Sequence, residues 1–142
     1  MALNTVSVRV FIGLVLMVGA CATAFRIGGP SQKKAAILVF VCWGTAALLQ
    51  IHEHYAVAPL IGGDLVYSVG LLWLAWRHHE RWLWIMVAVQ VLFFFLHVAQ
   101  FERGGPPTVP YIFANNVICA VGLVVLTAVS VASARKRGAV VA

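Results

Sequence analysis

Few residues in this chain can do acid–base or metal chemistry, and most of those that can fall into one set. Asp64 and His97 lie inside otherwise apolar runs, and His52, Glu53 and His54 close another such run. A carboxylate near hydrocarbon is costly unless it is paired or wetted, which is why such residues commonly mark functional sites. An imidazole beside it can hold or relay a proton, or can tie two helices together through a hydrogen bond. Imidazole and carboxylate together also suit zinc or copper, which makes His52, His54, His97 and Asp64 the candidate metal ligands. A b-type haem would need axial histidines on facing helices deep in the bundle; His52 and His97 are the only pair that could qualify, and both sit high. Gln90, Asn115 and Asn116 add neutral hydrogen-bonding groups, with Gln90 expected near mid-membrane and no charge beside it. His78 and His79 flank Glu80 in a charged turn and read as solvated. The chain has no glycine-rich phosphate loop, no H-E-x-x-H and no serine in a nucleophile turn, so no enzyme is expected and no resident cofactor.

The elements that must position these groups are five apolar runs, at about 10–25, 35–51, 60–76, 82–101 and 112–134, each near the ~20 residues that cross a bilayer. Of the 142 residues, 63% are hydrophobic and 10% charged, and the mean hydropathy is +0.98. A soluble core of this size cannot hide so much apolar surface. The expected fold is therefore an all-α membrane bundle of five transmembrane helices forming one domain over 1–142. Gly28-Gly29-Pro30, Pro59 with Gly62-Gly63, and Gly104-Gly105-Pro106-Pro107 punctuate the runs. The clearest unit is WLAWRHHERWLWIMVAVQVLFFFLHVAQ, from Trp73 to Gln100, which reads as a helical hairpin. Trp73, Trp76, Trp82 and Trp84 flank its charged turn, as amphipathic rings do at a membrane interface. Met86, Gln90, Phe93, His97 and Gln100 form a stripe on its second helix that should face protein.

The net charge of +6 does not point to nucleic acid, because the basic residues are split into short groups between apolar runs. Eight of the ten Lys and Arg (Arg26, Lys33, Lys34, Arg77, Arg81, Arg135, Lys136 and Arg137) fall on one side. The positive-inside rule makes that side cytoplasmic, with the N-terminus outside and the C-terminus inside. The basic tail 135–137 is expected to rest on anionic headgroups. Arg9 followed by VFIGLVLMVGAC resembles a signal peptide ending at a lipoprotein cleavage site before Cys21, but cleavage would invert the charge bias, so five spans are expected. Cys21, Cys42 and Cys119 all lie in apolar runs without zinc spacing and read as packing residues. At about 1.5 Å per residue, His52 stands roughly 27 Å above Lys34, Asp64 roughly 20 Å above Arg77, and His97 roughly 24 Å above Arg81. One outer layer should therefore hold these three with Glu53, His54, Glu102, Asn115 and Asn116.

Small residues Gly19, Ala20, Ala22 and Ala24, and Gly44, Thr45, Ala46 and Ala47, should admit neighbouring helices closely. LLQIHEHY and FLHVAQFE give a faint internal echo of two parallel hairpins. The segments FRIGGPSQKKAA, GGDLVYSVGLLWLAWRHHERWLW and VQVLFFFLHVAQ resemble a group of small, uncharacterised, multi-spanning bacterial inner-membrane proteins. The pattern shared with that group falls here on Asp64, Arg77, Trp82, Trp84, Gln90 and His97, while the HEH triplet departs from it. The resemblance implies location in the bacterial inner membrane and attaches no activity. The function expected first is a non-catalytic accessory or structural subunit of a larger membrane complex, with lipid and either a membrane-protein partner or another copy as its contacts. The alternatives are an oligomeric translocator of small solutes, ions or protons using Asp64 and His97, and a metal- or haem-binding redox protein. A lysis pore would fit the size but needs fewer spans.

Overall fold

A computed structural model describes the backbone of residues 5–52, 57–105 and 107–141, and the side chains of residues 11–48, 60–105 and 107–138. Among these residues all regular structure is helical: α1 (Thr5–Ile27), α2 (Pro30–His52), α3 (Val57–His78), α4 (Arg81–Arg103) and α5 (Val109–Val141). Every helix outruns the apolar run that announces it, partly because the prolines start helices instead of stopping them. Pro30 is the first residue of α2, where its missing N–H would have had no partner in any case. Pro110 sits in the first turn of α5. Thr108 caps that turn, its carbonyl accepting from the Ile112 N–H at 2.9 Å and its hydroxyl from the Tyr111 N–H at 3.4 Å.

Each helix packs on the next in the chain, α5 closes the ring against α1, and α2 also touches α5 across the middle. Small residues set the closest seam. Met17, Ala20, Cys21 and Ala24 recur on one face of α1 and meet Ala35, Ala36 and Val39 of α2. With four alanines in the seam the backbones approach until the Cys21 thiol donates to the Ala36 carbonyl at 3.4 Å. Of the small residues expected to receive a neighbour, Ala20 and Ala24 do so, whereas Gly19 and Ala22 face outward. Gly70 plays the same part between α3 and α2, since a Cβ there would press on Leu38 Cδ1 at 2.9 Å.

Both turns at the basic end are two residues long. Gly28 and Gly29 join α1 to α2, and a Cβ on Gly28 would strike the Ala24 carbonyl oxygen and lie 2.9 Å from Gln32 Cβ. His79 and Glu80 join α3 to α4, with His79 in the left-handed region at φ 52° and its N–H donating to the Ala75 carbonyl at 2.9 Å. Among the described residues two helices, α4 over Arg81–Arg103 and α5 over Val109–Gly138, are long and apolar enough to cross a membrane, and α1 adds a shorter apolar stretch, Phe11–Ile27. Within their lengths α2 carries Lys33 and Lys34, and α3 carries Asp64 and Arg77.

Candidate functional site

The buried face of α4 is Leu83, Met86, Gln90, Phe93, His97 and Gln100, a stripe at helical spacing that turns toward α3 and the bundle interior. Asp64 of α3 meets it. Counted from the tight turn at His79–Glu80, Asp64 lies at a depth between Gln90 and His97, so one carboxylate can reach both. Its Oδ2 is hydrogen-bonded to His97 Nδ1, and its Oδ1 accepts from the Gln90 side-chain amide at 2.8 Å. The expectation that Gln90 has no charge beside it is thus corrected: the antiparallel hairpin brings residue 64 within reach of residue 90. All three groups are secluded, with 7%, 1% and 3% of Asp64, Gln90 and His97 exposed.

A buried carboxylate with two donors is a satisfied one. The imidazole is not. Among the described residues the buried His97 Nε2 has no hydrogen-bond partner, nor has the Tyr67 hydroxyl one turn along α3 from Asp64. Because Nδ1 and Nε2 lie on opposite sides of the ring, tying Nδ1 to α3 turns Nε2 away from it. His97 also forms part of the wall of a half-open cavity of about 440 Å³ lined by α1, α2, α4 and α5 with Leu60 of α3. Aromatic rings line this part of it: Phe93 stands 5.0 Å from His97 between centroids, Tyr111 5.7 Å away and edge-on, and Trp43 stacks on Phe93 at 6.2 Å. Asn115 and Asn116 also lie in the wall, while Met17, Ala46, Ala120 and Leu123 make the rest apolar. The asparagines are therefore cavity groups; among the described residues neither joins the Asp64–His97 pair.

The metal reading finds two of its four residues together. Asp64 and His97 pair, but no group of three His, Cys, Asp or Glu that would hold a metal forms among the described residues. The side chain of His52 and the whole of Glu53 and His54 lie outside the described residues, and with them the second axial ligand of a haem. Glu102 is exposed.

A second polar cluster, which the sequence reading missed, sits at the basic end. Ser31 and Gln32, the first side chains of α2 after Pro30, are only 2% and 3% exposed. The Ser31 hydroxyl donates to Glu80 Oε1 at 2.6 Å, and the Trp82 indole N–H donates to the other oxygen of Glu80. Glu80 precedes α4 in the N-cap position but makes no side-chain cap bond, because both oxygens are turned to these donors. Gln32 Nε2 donates to Ser133 of α5 at 3.3 Å, and the Arg137 guanidinium donates to the Ile27 carbonyl at the end of α1. Arg137 thus reaches back to cap a helix. His79 is exposed as expected, but His78 is half-buried, with Nε2 3.5 Å from Lys34 Nζ. The signal for this cluster was faint: a Ser-Gln pair behind Gly-Gly-Pro looks like any solvated helix start. No protein-family model, curated protein or solved structure matches this chain.

Proposed function

We propose that this chain is a five-span protein of the bacterial inner membrane, N-terminus outside and C-terminus in the cytoplasm, that binds and translocates a small solute without chemical conversion. Asp64 and His97 form its proton-responsive pair. The insertion is supported by the outward faces, where Phe11, Leu16, Phe40, Trp76, Phe95 and Val124 are all exposed. Only 33% of the most apolar stretch of α4 and 22% of that of α5 are buried within the bundle, far less than a soluble core helix would show. The orientation is supported by eight basic residues in the helix ends on the Glu80 side.

The observation that carries the functional reading is His97 Nε2. A buried imidazole nitrogen without a partner, in the wall of a cavity and fixed from behind by a carboxylate, is an arrangement that loses stability unless something else completes it. A polar group held ready for a ligand meets that description, and helix glue does not require it. Native mass spectrometry on protein taken gently from its own membrane tests this. A small-molecule adduct on the wild type that disappears in Asp64→Asn, with the bundle still assembled, supports the reading; a bare polypeptide in both overturns it.

The accessory-subunit reading rests on a different observation. Gly19 of α1 lies on the outer surface, and a Cβ there would meet no atom within 4 Å, so the backbone there is open to a helix from another protein. The same experiment separates the two, because an added polypeptide mass favours the subunit.

A further inference from the structure

The chemical class of the ligand follows from four features of the cavity, and the inference rests on the reading of that cavity as a binding site. First, with Asp64 ionised its oxygens only accept, so Nδ1 carries the imidazole hydrogen and Nε2 presents a lone pair. The ligand must supply a donor. Second, among the described lining residues His97, Tyr111 and Cys119 are the ionisable side chains, and no Lys, Arg, Asp or Glu is among them. With no counter-charge from those residues, a neutral headgroup is favoured over an ionic one. Third, Phe93 and Tyr111 lie against the His97 ring and Trp43 stacks on Phe93 behind them, an aromatic wall that favours a flat aromatic headgroup. Fourth, the volume of about 440 Å³ is within the ~300–1,000 Å³ range of small-molecule sites. Its remaining walls, Met17, Ala46, Leu123 among them, suit a hydrocarbon tail.

We propose that the cavity binds a neutral, lipid-tailed hydroxyarene, a phenol or hydroquinone in chemical class, whose hydroxyl donates to His97 Nε2 while its ring packs among Trp43, Phe93 and Tyr111. Gln90 and Asp64 act behind His97 as positioning residues: the amide fixes the carboxylate and the carboxylate fixes the tautomer.

The tautomer makes the proposal testable by inversion. In Asp64→Asn, the new carbonyl accepts from Gln90 and the new amide donates to Nδ1, so the ring hydrogen moves to Nε2 and the site becomes a donor. The probes are 4-nonylphenol and 4-nonylacetophenone, which share ring and tail while only the phenol donates. The full-length protein in phosphatidylcholine nanodiscs is titrated with each, followed by the ¹⁵N signals of its histidines. Wild type is expected to bind the phenol about tenfold more tightly, as one hydrogen bond predicts, with the Nε2 resonance of His97 moving on binding. In Asp64→Asn the preference should collapse or reverse toward the ketone. Saturable but equal binding of both probes by the wild type would overturn the hydroxyarene class and leave the cavity a binding site. Failure of either probe to saturate, with His97 unmoved, would overturn both this inference and the solute-binding reading beneath it. The wild-type comparison stands even if the variant does not fold.

Discussion

The two ends of this bundle treat polar groups in opposite ways. At the basic end, Ser31, Gln32, Glu80, Trp82, Ser133 and Arg137 are joined by hydrogen bonds that link all five helices or the turns between them. The turns are two residues long and the α1–α2 seam is made of alanines. Toward the opposite end the helices line a cavity, and a carboxylate with two donors backs an imidazole whose far nitrogen has no partner among the described residues. The first arrangement spends its polar groups on holding helices; the second leaves one buried nitrogen unsatisfied among the described residues. The two clusters lie at different ends of the same helices, with α4 carrying members of both: Trp82 in the first, Gln90 and His97 in the second.

The contrast breaks most readily at His97. Removing one member of a buried pair costs about 3–5 kcal/mol, because the remaining charge keeps its desolvation penalty. His97→Phe should therefore unfold at markedly lower denaturant in mixed micelles. Asp64→Leu, Gln90→Leu and His97→Phe together should recover most of that loss, since apolar groups leave nothing unpaired. A triple variant as unstable as the single one would mean that the cluster holds the fold, and the division between the two ends would fail.

Two changes at the basic end probe the other half. Gly28→Ala places a Cβ against the Ala24 carbonyl and Gln32 Cβ, an overpacked contact expected to cost about 2–3 kcal/mol. Glu80→Ala leaves the Ser31 hydroxyl and the Trp82 indole without their acceptor, for a loss of about 1.5 kcal/mol at this half-buried site. Neither residue lies near the cavity. Both variants should show faster amide exchange around residues 28–34 and 80–84, and both should keep wild-type affinity for a cavity probe in the folded fraction. Altered affinity would reveal coupling between the ends.

The sequence reading reached the second end better than the first, and the reason is physical. Asp64 and His97 stand out because charge and imidazole are rare inside apolar runs, and a hairpin through a five-residue charged stretch fixes their relative depth without knowledge of any other helix. The stripe from Met86 to Gln100 was legible for the same reason, as helical period alone decides which residues share a face. The order of helices around the ring was not, because closure of α5 on α1 depends on how Gly, Ala and Leu surfaces fit, and many pairings satisfy composition equally. Trp43 went unremarked since a tryptophan in an apolar run announces nothing; only its stacking on Phe93 makes it part of a wall. Glu80 and Ser31 were obscured by their surroundings, being polar residues among polar residues. Their burial follows from the shortness of two turns, which places α2 and α4 side by side.

The smallest effect tests the geometry of one of those turns. His79 is exposed and sits at φ 52°, a region that a side chain with a Cβ enters at a cost and glycine enters freely. Its N–H is committed to the Ala75 carbonyl, so the residue ends α3 in the manner of a left-handed C-cap. Replacing it by Gly removes the Cβ penalty but enlarges the freedom of the unfolded chain, and the net gain should be about 0.5 kcal/mol. Asn should fall close to Gly, Ala near the wild type, and Val below it, since a β-branched side chain is least tolerant of positive φ. That ranking, read from denaturant midpoints of the four variants, isolates backbone conformation from charge, because His79 makes no ion pair among the described residues. If His79→Val proved as stable as His79→Gly, the turn would not be left-handed, and α3 and α4 would be joined by a looser connection. The depth match of Asp64 with Gln90 and His97 would then need another cause, so this exposed residue at the closed end is also a check on how the open end is aligned.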